Sequence, residues 1–298
     1  MRDLLPETYI EKWNLAGYEK TRLQEIRIRT GAPLSLKYDG QERLLEDAKA
    51  TPQDLSKIVQ WLTGFGIHAY QQELRNGYFT VRGGHRVGVG GQAALDGEGL
   101  FLGFRHIQSL HIRIAHEIIG ISDALLTGLY GDGRFLNTLI LAPPGMGKTT
   151  MLRDLVRNIS DGNHFSQGLE VSLIDEREEI AALHQGRVSL NVGKRTDVIA
   201  GCKREQAMEM ALRSLGPQVV AVDEIYGEKD LEALKRLYGC GIGLLATHHC
   251  DSYAQLTMKP FGRELCRAKI FERFLVLQRM NSVYGTAGLW DQEGVRLC

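Results

Sequence analysis

The chain has 298 residues, enough for one large domain or two of moderate size, and long enough to bury a core without disulfide or metal staples. Its 36 Lys and Arg balance 36 Asp and Glu, so composition gives no support to a whole-chain attraction to nucleic acid or to an anionic membrane. The 34 glycines, about 11% against a typical ~7%, predict many tight backbone approaches, of which an anion cradle is one use. Cys202, Cys240, Cys250, Cys266 and Cys298 are odd in number and include no C-x-x-C pair. They predict reduced thiols and a cytoplasmic setting. The opening Met1-Arg2-Asp3-Leu4-Leu5-Pro6-Glu7 carries charge and proline where a signal peptide needs an apolar run, and no 18-residue apolar stretch follows. Any membrane role is therefore expected to run through partners.

From Glu7 to about Ala115 short helices mix with alternating strands, as in an antiparallel α+β domain. Gln24-Glu25-Ile26-Arg27-Ile28-Arg29 alternates polar with apolar side chains, and Gly31-Ala32-Pro33 ends it. Thr51 reads as the N-cap of a helix that starts at Pro52 and runs to Thr63, with Leu55, Ile58, Val59 and Leu62 on one packing face. Residues 77–89, turning at Gly83-Gly84-His85, read as a hairpin, and 109–114 alternate again. Between Ala115 and Asn137 the periodicity weakens, and the glycines at 128–133 predict a linker or hinge.

Beyond it, Leu139-Ile140-Leu141, Val171-Ser172-Leu173-Ile174, Val219-Val220-Ala221-Val222 and Gly243-Leu244-Leu245-Ala246 alternate with helical segments. That is the pattern of a mostly parallel α/β sheet. Met151, Leu152, Leu155, Val156 and Ile159 form one face of the first helix, which Asp161-Gly162 would stop. Phe274-Leu275-Val276-Leu277, a turn at Gln292-Glu293-Gly294, and Val295-Arg296-Leu297 predict a terminal β element. The expected division is an α+β domain over 1–115, a linker over 116–136 and an α/β domain over 137–298.

Ala142-Pro143-Pro144-Gly145-Met146-Gly147-Lys148-Thr149 fits G-x-x-x-x-G-K-[ST] with alanine in the first position, between a predicted strand and a predicted helix. In that setting, residues 144–150 (Pro144, Gly145, Met146, Gly147, Lys148, Thr149 and Thr150) form a phosphate cradle of backbone N–H groups and a helix N-terminus. Lys148 would bridge the β- and γ-phosphates of ATP, the Thr149 hydroxyl would hold Mg²⁺, and Thr150 is placed for the α-phosphate. Such a site needs a carboxylate at a neighbouring strand end. Val219-Val220-Ala221-Val222 runs into Asp223-Glu224, assigned to Mg²⁺ and to accepting a proton from water respectively. Asp175-Glu176-Arg177 is a second acidic strand end, which a pairing with Arg177 would also explain. Thr247 and His249, at the end of another apolar strand, suit a sensor of the γ-phosphate. His248, His249 and Cys250 are contiguous, so they cannot wrap a zinc ion tetrahedrally. For an arginine supplied in trans the candidates are Arg177, Arg195, Arg213, Arg105 and Arg113.

Further segments carry a resemblance: Glu25-Ile26-Arg27-Ile28-Arg29, the Gly-Gly-His-Arg-Val-Gly core within 77–91, residues 109–115, Asp175-Glu176-Arg177-Glu178-Glu179-Ile180-Ala181, Arg195-Thr196-Asp197-Val198 and Lys269-Ile270-Phe271-Glu272-Arg273. Over nearly its whole length the chain resembles the stage III sporulation protein AA family, itself similar to type II and type IV secretion ATPases. The resemblance implies a RecA-like P-loop domain with a mostly parallel sheet, preceded by a smaller α+β domain that closes over the nucleotide. It implies an ATP- and Mg²⁺-dependent homo-oligomeric ring, a hexamer, that energises a channel between mother cell and forespore. Such a ring would sit in the cytoplasm, peripheral at the mother-cell side of the forespore membrane, through membrane-embedded channel proteins. In those motors Asp175-Glu176 would be the acidic box, Glu224 the Walker B glutamate and His249 the histidine-box residue, so Lys148, Glu176, Glu224 and His249 would be catalytic. The chain departs from the family at Ala142, at Ala182-Leu183-His184, and at Tyr226, where glycine is usual.

Two readings compete with a motor. One is an ATP-binding assembly scaffold with little turnover, motivated by Ala142. The other is a RecA-like nucleic-acid motor with contacts from Lys194-Arg195 and Lys203-Arg204, which the balanced charge opposes. A GTPase is disfavoured because no Asn-Lys-x-Asp segment occurs.

Overall fold

The computed structural model describes residues 4–64, 66, 70–75, 77–184, 186–280 and 283–297. The readings of Met1, Arg2, Asp3 and Cys298 lie outside the described residues. The chain separates into two units: one comprises Met1–His116 with His184–Ser189, the other Glu117–Leu183 with Leu190–Cys298.

In the first unit, strands Gln41–Lys49, Pro33–Tyr38, Leu23–Arg29, Phe101–Arg113, His85–Leu95 and Tyr78–Val81 form one antiparallel sheet in that spatial order. Alternation fixes its faces: Ile26 and Ile28 are buried while Glu25, Arg27 and Arg29 are half-buried. The helix Pro52–Leu62 packs Leu55, Ile58, Val59 and Leu62 into the same core. Its start is a capping box, in which the Asp54 N–H donates to Thr51 Oγ1 at 3.2 Å and the Thr51 N–H donates to Asp54 Oδ2 at 2.8 Å.

The second unit is built on a seven-stranded sheet in the order Thr196–Ala200, Val171–Asp175, Val219–Val222, Gly243–His249, Thr138–Ala142, Arg273–Met280 and Val283–Asp291. Neighbours run parallel throughout except the last pair, which is antiparallel. The apolar runs are continuous because both faces are covered. Leu139, Leu141, Val220, Val222, Leu244 and Ala246 face the core made with helices Arg204–Ser214, Glu228–Gly239 and Pro260–Ala268. Ile140, Ala142, Ala221 and Leu245 face the other core, made with helix Lys148–Asp161. Gly162 stops that helix at φ 88°, a left-handed conformation that costs other residues more.

Two features differ from expectation. The stretch expected to be a linker adds Leu126, Leu129, Tyr130 and Phe135 to the core of the second unit. It is pinned to helix Lys148–Asp161 by Asp154, which accepts the N–H groups of Gly120 (3.0 Å) and Ser122 (2.9 Å) and the Ser122 hydroxyl (2.7 Å). The terminal β element is larger than expected: Arg273–Met280 pairs with the additional strand Val283–Asp291, and after the 292–294 turn the 295–297 segment returns to it through the Arg296–Trp290 bridge and the Leu297 N–H donating to the Leu289 carbonyl at 2.7 Å. Gly285 and Gly288 interrupt the apolar alternation of that strand, which hides it in sequence.

Candidate functional site

Four segments leave the carboxyl ends of adjacent parallel strands, where a doubly wound sheet places its ligand crevice: 143–147 after Thr138–Ala142, 176–182 after Val171–Asp175, 223–227 after Val219–Val222, and His249 at the end of Gly243–His249. In the first, Gly145 and Gly147 adopt φ 75° and 80°, which a side chain would strain. Gly147 caps the helix with no side-chain hydrogen bond, and a helix N-terminus of this kind suits an anion. Thr149 and Thr150 follow in that first turn, half-buried, and Pro144 and Met146 complete the loop.

Lys148 is buried, at 7% exposure. Its Nζ donates to the carbonyls of Ala142 and Pro143, both at 3.1 Å, and to His249 Nδ1 at 2.8 Å. Burial lowers its pKa, and the nearby Asp223 and Glu224 charges oppose that. Because Lys148 donates to Nδ1, the Nε2 proton of a neutral His249 is free to reach Glu224 Oε1, 3.0 Å away. Arg177 Nη1 lies 2.8 Å from the other oxygen, Oε2. Lys148, His249, Glu224 and Arg177 thus form one contiguous chain of polar contacts. Glu224 holds this place with φ +52°, a left-handed conformation rare outside glycine.

Asp223 accepts the Thr247 hydroxyl at 2.9 Å, and Thr247 Oγ1 in turn accepts the Glu224 N–H at 3.0 Å. Burial raises the Asp223 carboxyl, with the Thr247 hydrogen bond opposing and Glu224 adding to the rise.

The acidic segment resolves into separate roles. Asp175 accepts the N–H groups of Glu179 (3.0 Å), Ile180 (3.0 Å) and Ala181 (2.9 Å). Burial outweighs these bonds and pushes its carboxyl up to about 6. The same turn is gripped by Arg153 of helix Lys148–Asp161, whose guanidinium donates to the carbonyls of Ile180 (2.5 Å) and Glu179 (2.8 Å). Glu176 is paired with Arg204 Nη1 at 2.5 Å, and Arg177 with Glu224, so no Asp175–Arg177 pair forms. Periodicity and motif spacing do not single out Arg153 and Arg204: Arg153 lies off the apolar face of its helix, where a solvated arginine is expected, and Arg204 sits in a basic pair that suggests nucleic acid.

The remaining arginines are dispersed. Arg195 bonds the Ser160 carbonyl at 3.1 Å, Arg213 lies 3.9 Å from Glu209, and Arg105 and Arg113 are exposed in the first unit. Of the basic pairs, Arg204 is 5% exposed and spent on carboxylates, so it offers nothing to a nucleic-acid backbone. The thiols of Cys202, Cys240, Cys250 and Cys266 are unbridged, and no metal-binding cluster of His, Cys, Asp and Glu occurs among the described residues. No helix is long and apolar enough to cross a membrane among the described residues.

Comparison with known proteins gives the family and the fold. The family described as Sporulation stage III, protein AA matches residues 9–297. A relative from Bacillus subtilis (strain 168), Stage III sporulation protein AA, is 34% identical over 294 residues, covering 99% of this chain and 92% of the relative. Among solved structures, the Yersinia pseudotuberculosis ATPase DotB superposes with a TM-score of 0.63 at 12% identity, over 97% of this chain and 81% of that one. The pilus retraction motor PilT with bound ADP gives 0.62 at 18% identity, over 95% and 81%. The shared architecture is the α/β fold of the RecA-like secretion ATPases.

Proposed function

This chain belongs to the Sporulation stage III, protein AA family, and we propose that it is a Mg²⁺-dependent ATP hydrolase working as a homo-oligomeric ring, a hexamer, that energises a secretion-like channel between mother cell and forespore. The observation that carries the reading is the contiguous set Lys148–His249–Glu224, which joins the phosphate loop to the acidic end of a neighbouring strand. The ring would act at the mother-cell side of the forespore membrane, docked on membrane-embedded channel proteins.

The residues present fit a magnesium nucleotide. Gly145, Gly147 and Lys148 supply N–H groups, and Lys148 exchanges the Ala142 and Pro143 carbonyls for phosphate oxygens. Thr149, in the first turn of the helix after the loop, and Asp223, at the end of the neighbouring strand, would hold Mg²⁺. Bound Mg²⁺ supplies charge neutralisation across the phosphates. Glu224 accepts the proton of the attacking water. Each of its oxygens already has one partner, His249 and Arg177 respectively, so the water's proton has to reach a remaining lone pair of a carboxylate that two donors already stabilise. Arg177, 57% exposed, is the looser partner. Lys148, on taking up phosphate, releases His249 Nδ1, which links occupancy of the loop to the setting of Glu224. Glu176, held by Arg204, acts on the shape of this site.

The doubly engaged Glu224 also favours a second reading, an ATP-gated scaffold with little turnover. Steady-state ATPase assays across protein concentration separate the two. For a motor, wild-type turnover rises as rings form, Glu224→Gln lowers it by about 10²-fold or more while keeping nucleotide binding, and Lys148→Ala loses both. Wild-type turnover no higher than that of Glu224→Gln at ring-forming concentrations eliminates the motor and leaves the scaffold.

A further inference from the structure

Arg204 and Tyr226 belong to none of the nucleotide-binding motifs, yet they meet behind Glu224. Arg204 opens the helix Arg204–Ser214, and its guanidinium has three neighbours. Nη1 lies 2.5 Å from Glu176 Oε2, Nε lies 3.5 Å from Asp230 Oδ1, and the guanidinium carbon sits 4.4 Å from the centre of the Tyr226 ring. A cation buried to 5% exposure is retained only when it is paired, and here it joins the acidic segment to the turn that follows Glu224.

That turn is fastened at both ends. On the sheet side Thr247 accepts the Glu224 N–H through its hydroxyl and the Ile225 N–H through its carbonyl, at 3.0 and 2.9 Å. On the far side Asp230 Oδ2 accepts the N–H groups of Tyr226 and Gly227 at 2.9 and 3.2 Å, while its other oxygen faces Arg204. Glu224 itself stands at φ +52°. A carboxylate-bearing residue keeps such a conformation only where its surroundings over-determine it.

We propose that Arg204 and Tyr226 form a cation–π clamp that positions Glu224. Neither touches the reacting atoms; both act through the turn, and their importance rests on the reading of Glu224 as the proton acceptor. The Tyr226 ring and the Arg204 guanidinium thus brace from outside a turn whose backbone is held by Thr247 and Asp230.

The test uses the full-length protein with Arg204→Ala, Arg204→Lys, Tyr226→Ala and Tyr226→Phe, measuring kcat and KM for ATP, affinity for a fluorescent ADP analogue, and amide hydrogen exchange over residues 224–227. Arg204→Ala and Tyr226→Ala are expected to lower kcat about tenfold, as a displaced catalytic group does. In both, KM and ADP affinity stay within about twofold, and exchange at the turn rises. Tyr226→Phe keeps the ring but not the hydroxyl that also meets Arg204, so its kcat stays above that of Tyr226→Ala, and Arg204→Lys falls between wild type and Arg204→Ala. Tyr226 is 64% exposed, so its variants fold whether or not Arg204→Ala does. Unchanged kcat and exchange in Tyr226→Ala overturn the clamp, as does a loss of ADP affinity equal to the loss of kcat. A wild-type protein that binds ADP without turnover overturns the ATPase reading instead, and the exchange data then decide the clamp alone.

Discussion

Asp54 and Asp175 are both buried carboxylates, one in each unit, and they are pushed to opposite ends of the carboxylate range. Asp54, in the antiparallel unit, meets the Lys12 ammonium at 2.9 Å, the Thr51 N–H at 2.8 Å and the Tyr9 hydroxyl at 3.1 Å. Burial opposes its ionisation, but these partners outweigh burial and hold it at about 2. Asp175, in the parallel unit, has backbone N–H groups alone; its neighbour Arg153 spends its guanidinium on carbonyls of the same turn. Burial wins there, at about 6. A carboxylate with its own cation is a permanent rivet, whereas one bonded only to backbone shapes a turn and keeps an unsettled charge. The parallel unit also has a rivet, Asp154, whose carboxyl is lowered by Ser122, Gly120 and Arg157 against the opposing effect of burial.

Removing the rivets and the unsettled charge tests this contrast. Asp154→Ala removes the acceptor of the Ser122 N–H and hydroxyl and of the Gly120 N–H and leaves Arg157 only its longer contact with Asp123, and is expected to cost about 3 kcal/mol or more, read as a lower denaturant midpoint of the second unit. If the cost is under about 1 kcal/mol, the 117–136 segment is not anchored as described.

Asp175 gives a pH-dependent effect of the next size. Its folded pKa lies above its unfolded value, so the folded state binds the extra proton between pH ~4 and ~6, and stability falls as pH rises through that window. The penalty reaches on the order of 3 kcal/mol above pH ~6, by ~1.4 kcal/mol per unit. Asp175→Asn cannot ionise, so the melting-temperature advantage of wild type over this variant should shrink from pH 4 to pH 7. A difference constant across that range would show that Asp175 is paired after all. Asp54 works in reverse: with its folded pKa depressed, its stabilisation is complete above pH ~4 and is lost as pH falls toward ~2. The smallest effect is local. Thr51→Ala removes one half of the capping box and is expected to cost about 1 kcal/mol without altering turnover per folded molecule. A drop in kcat with this variant would tie the first unit's core to the chemistry.

The elements were legible where one signal dominated. Thr51-Pro52 marks a helix start because capping and proline geometry are local, and the four apolar runs of the parallel sheet stand out because both faces are buried. Strand Thr196–Ala200 carries only Val198, Ile199 and Ala200 as apolar side chains, all half-buried at the sheet edge, and so escapes a periodicity test. At the site, Lys148, Asp223 and Glu224 were legible from motif spacing. The destination of each arginine was not: Arg153, Arg177 and Arg204 are spent on a carbonyl pair, on Glu224 and on Glu176 respectively, and the sequence separation of the last two contacts is 47 and 28 residues.

By itself the sequence determined that one half is an alternating antiparallel module, that the other is a parallel sheet with a phosphate loop, and which family the chain resembles. The first two follow from short-range rules of periodicity, glycine conformation and helix capping, which need no partner from elsewhere in the chain; the resemblance rests on the specific segments that carry it. Only the tertiary structure decided which charges meet. Long, flexible side chains are committed by burial and by the carboxylates that the fold brings within reach, and neither is written in the spacing of residues along the chain.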